Sequence, residues 1–261
     1  MNNYQYIKVV RRGNVSTLTL DRPQVMNALS SALMKEIELA SRDFLEDEKT
    51  RVVVIRGSGE NFSAGADLKE IRAERSMVMQ RRDFALGARM IRAISEIPQV
   101  TIAAIHGVAL GGGACISTAC DFRIATEDAV CGYPEVNLGM NLMWQSLPLC
   151  VRLIGPARAK RMIMLGDKES ARTLLDWGFL DKVVPVEELD GAIMLMAERY
   201  SGQSPTAVQM IKQSINAVSS GLDEAIMHMD ADQNMLTARS QDRTEGLKSF
   251  FQKREPKFKG D

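Results

Sequence analysis

A strand that runs into three consecutive glycines and then into a helix start constrains this chain more than any other feature. The stretch is Ile105 to Asp121, IHGVALGGGACISTACD. Just before it, Val100 to Ile105 is uncharged and rich in β-branched residues, the pattern of a buried strand. His106-Gly107 breaks that run, Gly111-Gly112-Gly113 follow, and Ala114 to Cys120 are small and apolar, suited to a helix packed closely on its neighbours. A junction of this kind aims several unpaired backbone N–H groups at one spot, where the helix dipole adds partial positive charge. Such a spot holds a phosphate, a carboxylate or a developing oxyanion. The same glycines would equally serve a chain that needs only tight packing there.

The 261 residues suffice for one large domain or a domain with a helical appendage. Formal net charge is zero, and the short basic clusters Arg11 to Gly13 and Gln80 to Asp83 are balanced elsewhere. Neither a nucleic-acid partner nor an acidic membrane surface is expected. The first residues, MNNYQYIKVV, lack the basic-then-apolar order of a secretory signal, and no run reaches the length of a membrane span. The four cysteines, Cys115, Cys120, Cys131 and Cys150, show no CxxC spacing and sit among apolar residues. They read as buried free thiols of a reducing, cytoplasmic chain, with no metal site and no cofactor called for. Only His106 and His228 are available to a Ser-His-Asp triad, and neither has a suggestive context.

The chain opens as a hairpin, Tyr6 to Val10 and Val15 to Leu20 around Arg12-Gly13-Asn14. After Asp21-Arg22-Pro23 and Asn27-Ala28-Leu29, a helix begins with Ser30 or Ser31 as its cap. Leu33, Ile37, Ala40 and Phe44 form its apolar face. Val52 to Ile55 is an uninterrupted β-branched run, as in the centre of a parallel sheet. Asn61 to Leu68 is a second small-residue turn after a strand, with a helical pattern expected from about Lys69. A long amphipathic helix is expected over Met77 to Ile97, with Phe84, Ala88, Ile91 and Ile94 on one side and Pro98 as its stop. Two short strands follow, Phe122 to Ala125 and Ala129 to Cys131, then a turn over Tyr133 to Gly139. From Leu147 the pattern is helical, at 157–165, 169–176, 186–200, 204–219, 222–238 and 241–252, with Lys182 to Val184 as the one strand. This order argues an α/β core followed by a helical tail that packs on its own domain or on a neighbouring subunit.

Gly65-Ala66-Asp67 and Gly111-Gly112-Gly113 each follow a strand, and loops after adjacent parallel strands share one edge of a sheet. Two N–H groups converging from these turns would cradle one carbonyl oxygen that gains charge. At this point the sequence resembles the enoyl-CoA hydratase/isomerase family, the crotonase superfamily, over essentially its whole length. The carriers are Asp21-Arg22-Pro23 with Asn27-Ala28-Leu29, Phe62 to Lys69, Ile102 to Gly113, Cys120-Asp121, Pro134-Glu135, Leu138-Gly139, Glu245-Gly246-Leu247 and Phe251 to Arg254. The resemblance implies an α/β fold, a crotonase-like spiral of ββα units with a C-terminal helical region. It divides the chain into a core over 1–195 and a helical trimerisation or lid region over 196–261. It also implies a homotrimer or hexamer, and a coenzyme A thioester as the substrate, so that no separate cofactor is required.

By the same resemblance, Ala66 and Gly112 donate the two N–H groups of an oxyanion hole and Glu135 is the acid/base. Ala64, Asp67, Leu68, Gly111 and Tyr133 would lie along the substrate. Lys69 and Lys253 would stand near the coenzyme A phosphates or serve as ordinary solvated lysines. Hydratases of the family carry two glutamates. Here the first position is Cys115, in Gly113-Ala114-Cys115, while the second, Glu135, is present. The glycine-rich segment usual after Leu-Gly is replaced by Met140 to Gln145, a bulkier run that should reshape the acyl pocket. In it Asn141 is placed to bond substrate or to form the turn, and Trp144 to wall the pocket. A single desolvated glutamate suits the transfer of a proton between carbons better than the holding of a water. Double-bond isomerisation is therefore expected first. Hydration with one glutamate, decarboxylation or thioester hydrolysis on the same platform, and a silent coenzyme A-binding scaffold are the alternatives.

Overall fold

The computed structural model describes residues 4–70 and 75–261. Nine strands and ten α-helices are placed among them. The hairpin β1 (Ile7–Arg12) and β2 (Val15–Leu20) opens the chain and α1 (Ser31–Asp43) follows. Ser30 is the cap of α1, its hydroxyl accepting the Leu33 N–H at 3.3 Å. Then come β3 (Val52–Gly57), α2 (Met77–Ser95) and β4 (Val100–Ile105). The helical pattern expected from Lys69 is a turn at Leu68-Lys69 and then passes into 71–74, outside the described residues. The central stretch is β5 (Val108–Leu110), α3 (Gly112–Ala119), β6 (Phe122–Thr126) and β7 (Val130–Gly132).

The second half holds α4 (Ser146–Leu165), β8 (Lys168–Ser170), α5 (Ala171–Trp177), β9 (Lys182–Val184), α6 (Leu189–Ser201) and α7 (Pro205–Ser220). The chain ends with α8 (Asp223–Met227), α9 (Asp230–Thr237) and α10 (Gln241–Gln252). Three elements of this half differ from expectation. Helix α4 begins at Ser146, because Gly155 (φ 75°) and Pro156 only kink it. Lys168–Ser170 is a short polar strand where a helix start was expected, since it completes the edge of a sheet. The helix expected over 222–238 is broken in two at 228–229.

The larger sheet runs β1-β2-β3-β4-β6-β9, parallel from β2 onward, and the smaller runs β5-β7-β8. One apolar core lies between the sheets and α1, α2 and α3, through Leu33, Ile37, Ile91, Ile105 and Ile116. A second, through Val52, Ile102, Ile124 and Ile193, lies under α6. The buried face of α2 is Leu86, Gly87, Met90, Ile91, Ala93 and Ile94, so Phe84 and Ala88 sit at its margin and not at its centre. The boundary expected at 195/196 falls inside α6, which runs unbroken because Ala192, Ile193 and Ala197 seat it on the sheet. By contrast, α7 buries none of its residues and exposes Met210, Ile211, Ile215 and Val218.

Candidate active site

The two glycine turns meet. Ser63 bridges Ala109 in parallel pairing, its N–H donating to Val108 O and its carbonyl accepting the Leu110 N–H, both at 2.9 Å. The first turn is fixed from its other side by Leu29, whose N–H donates to Gly65 O at 2.8 Å and whose carbonyl accepts the Asp67 N–H at 3.1 Å. Those two bonds flank Ala66, and neighbouring backbone units of an extended chain point to opposite sides. The Ala66 N–H is therefore turned away from Leu29. Gly65 adopts φ 90°, and a side chain there would stand 3.1 Å from the Gly112 nitrogen and 2.6 Å from Leu110 O, so only glycine lets the turns close. Among the described residues neither the Ala66 N–H nor the Gly112 N–H donates a hydrogen bond. Two free donors, one of them at the start of a fully buried helix, thus stand where the two turns meet.

The motif that precedes α1 braces this arrangement. Arg22 Nη1 donates to Ala28 O at 2.5 Å and to Asp67 Oδ2 at 3.0 Å. Asn27, itself left-handed at φ 52°, accepts the Arg22 N–H and donates to Ser58 O and Asn61 O at 2.8–2.9 Å. Ser63 Oγ donates to Asn27 O at 2.8 Å and accepts the Gly65 N–H at 3.2 Å. Ala64 gives its N–H to Met26 O. Asp67, expected along the substrate, is held by Arg22 and by the Lys69 N–H, which makes it a brace of the donor turn. Leu68 is half-buried beside it and Lys69 is exposed.

Glu135 lies on a short 3-10 turn, Pro134–Leu138, directly after β7. Glu135 as a whole is partly exposed, but Oε2 is sealed from solvent and has no hydrogen-bond partner among the described residues. The other oxygen faces Gly111, where a side chain would stand 2.9 Å from it; Gly111 has φ 52°, and its N–H is anchored on Gly132 O. Desolvation pushes the Glu135 carboxyl up from 4.5 to about 7. Cys115 sits beside it in α3, fully buried, and burial followed by the Glu135 charge drives its thiol well above the ordinary range. A thiol held neutral is neither a base nor a nucleophile.

Trp144 is buried to 7% exposure, its indole pressed on Gly87 of α2 and on Gly112, with Leu29 alongside. A methyl group on either glycine would collide with the ring. Three other expected site residues lie elsewhere. Tyr133, between β7 and the Pro134–Leu138 turn, is sealed in the core, its hydroxyl bonding Thr118 Oγ1 at 3.4 Å. Asn141 is tied to α9, its Oδ1 accepting from Thr237 Oγ1 at 3.1 Å and Asn234 Nδ2 at 3.4 Å. It lines an open groove of about 670 Å³ with Leu236 and Phe258. Lys253 is the exposed, left-handed C-cap of α10. Leu29 enters the site from the Asn27-Ala28-Leu29 motif, whereas Gly87 and Asp230 were not singled out from the sequence. Only Gly87, a glycine inside an amphipathic helix, left a visible signal.

The family model described as enoyl-CoA hydratase/isomerase matches residues 11–261. The crotonyl-CoA hydratase of Syntrophomonas wolfei is 34% identical over 258 residues, covering 98% of each chain. The short-chain-enoyl-CoA hydratase of Clostridium acetobutylicum is 31% identical, covering 94% of each. Among solved structures, an enoyl-CoA hydratase from Mycobacterium avium subsp. paratuberculosis superposes with a TM-score of 0.89 at 26% identity, over 98% of this chain and 100% of that one. A carnitinyl-CoA hydratase from Mycobacterium avium gives 0.85 at 30% identity, over 99% and 100%. The architecture is therefore that of the crotonase fold with its C-terminal helices. No helix among the described residues is long and apolar enough to cross a membrane.

Proposed function

Because the chain belongs to the enoyl-CoA hydratase/isomerase family of acyl-CoA enzymes, we propose that it moves the double bond of an enoyl-CoA, with Glu135 as its single acid/base. The observation that carries this reading is the pairing of one desolvated carboxylate with two free N–H donors, while the neighbouring position is a neutral thiol. In its ionised form Glu135 takes a proton from C2 of a 3-enoyl thioester. The electrons delocalise onto the carbonyl oxygen, which the Ala66 and Gly112 N–H groups receive. Protonated Glu135 then returns the proton to C4, and the double bond lies between C2 and C3. A carboxyl with a pKa near the working pH performs both halves of this exchange.

Hydration is the second reading, favoured by the hydratase names of the relatives. It would have Glu135 Oε2 hold the water alone, without a second carboxylate. The apolar row on α7 supports assembly as a trimer or hexamer, since an exposed face of this kind is otherwise costly. Incubation with 3-enoyl-CoA and with 2-enoyl-CoA, followed by mass analysis, separates the readings. Isomerisation leaves the mass unchanged and moves the double bond; hydration adds one water. No conversion of either thioester would refute both.

A further inference from the structure

The run after Leu138-Gly139 places a large aromatic ring directly against Gly112, whose N–H is the proposed oxyanion donor. Trp144 and Gln145 are both left-handed, at φ 67° and 59°, a conformation that bulky side chains avoid unless the surroundings impose it. The imposing group is Asp230, the first residue of α9 and 6% exposed. Its Oδ2 accepts the Gln145 N–H at 3.1 Å, and the Trp144 N–H faces the same carboxylate. So oriented, the indole drops into a slot formed by the two glycines, Gly87 and Gly112. A glycine inside α2 costs helix stability and has no turn to serve there; admitting the ring is its evident role. The ring thus fills the space over the Cα of Gly112, whose own N–H is the proposed oxyanion donor.

We propose that Trp144, positioned by Asp230, is a specificity-determining wall that closes the acyl pocket beside the Gly112 N–H and restricts the site to short acyl groups. This rests on the acyl-CoA reading above. An acyl chain bound at the two donors meets the indole within a few carbons. Lengthening the chain then requires the ring to leave its slot and the Trp144-Gln145 turn to come off Asp230. In an open apolar pocket each added methylene would instead improve binding about fourfold.

The test uses non-reacting thioesters, so that affinity is read apart from turnover. Calorimetric titration compares coenzyme A, butyryl-CoA and octanoyl-CoA on the full-length protein and on Trp144→Leu, Asp230→Ala and Asp230→Asn. The wild type is expected to bind octanoyl-CoA no more tightly than butyryl-CoA. Trp144→Leu should shift the octanoyl/butyryl ratio toward octanoyl at least about tenfold, drawing on the four methylenes admitted. Asp230→Ala should shift it at least about threefold in the same direction, and Asp230→Asn, which keeps an acceptor, should restore most of the wild-type ratio. Wild-type octanoyl-CoA binding about a hundredfold tighter than butyryl-CoA overturns the wall, as does a Trp144→Leu ratio within twofold of wild type. A shift with Trp144→Leu but none with Asp230→Ala overturns the positioning role. If thioesters bind and the ratios do not move, the inference fails and the acyl-CoA reading stands; if neither coenzyme A nor any thioester binds, both fail.

Discussion

Replacing Glu135 by glutamine should make the protein more resistant to unfolding at pH 8 than at pH 5, relative to the wild type, while removing its catalysis. The carboxyl titrates at an ordinary 4.5 in the unfolded chain and at about 7 in the fold, because burial penalises its charged form. A folded-state value raised in this way stabilises the fold below pH 4.5, and that stabilisation is lost as pH rises through 7. Each pH unit inside the interval is worth about 1.4 kcal/mol, so the wild type loses about 2.5 kcal/mol between pH 5 and pH 8 that a non-titrating glutamine keeps. The amide has its own cost, since Oε2 has no partner to offer it, but that cost is the same at both pH values and cancels in the comparison. Urea unfolding of the wild type and Glu135→Gln at the two pH values measures this directly. A stability difference between the two proteins that stays within about 0.5 kcal/mol from pH 5 to pH 8 would mean that Glu135 is solvated, and the argument for a neutral-pH acid/base would collapse.

Further outcomes follow from the braces and donors. Ala66→Pro removes one N–H that donates to nothing in the described protein, and should lower kcat roughly a hundredfold or more while acyl-CoA affinity changes little; an unchanged kcat would exclude Ala66 as a donor. Arg22→Met releases Asp67 from the 3.0 Å bond that steadies the donor turn, and should cost about tenfold in kcat. The same change in an Asp67→Asn background should cost much less, and full additivity would argue that the two residues act independently. The four cysteines are all buried, and burial pushes Cys120, Cys131 and Cys150 up to about 12. The folded protein should therefore resist thiol reagents at pH 8 and release its thiols only on unfolding, which a timed titration with an aromatic disulfide reports.

What could be read from the sequence was local chemistry. Glycine turns after β-branched runs, Ser30 ahead of an amphipathic helix and Glu135 after Pro134 each declare themselves within a few residues, and the structure packs the two turns against each other, Glu135 against Gly111, and Ser30 at the start of α1. The way Trp144 is held is not legible in the same way. Gln145 and Asp230 are 85 residues apart, and nothing near either of them signals a left-handed turn held by a carboxylate. The side-chain partners of Tyr133 and Asn141 are hidden for a related reason. Their neighbours in sequence are site residues, but the Tyr133 side chain is drawn into the core beside Thr118, and Asn141 answers to side chains from α9. The strand Lys168–Ser170 carries no apolar alternation, since its existence depends on pairing with β7 and not on its own composition. The motif Asp21-Arg22-Pro23 with Asn27 carries a family resemblance in the sequence; its physical task, bracing the turn that presents Ala66, appears only in three dimensions.

The central claim is that Glu135 moves protons at carbon next to a thioester whose enolate rests on the Ala66 and Gly112 N–H groups. Its most direct test is the reaction of a short 3-enoyl-CoA in deuterated water, followed by mass spectrometry and proton NMR of the recovered thioester. The account predicts deuterium entering at C2 and C4 together with double-bond migration, and the loss of both with Glu135→Gln. Recovery of the thioester without deuterium and without migration, or equal exchange in the Glu135→Gln protein, would contradict it.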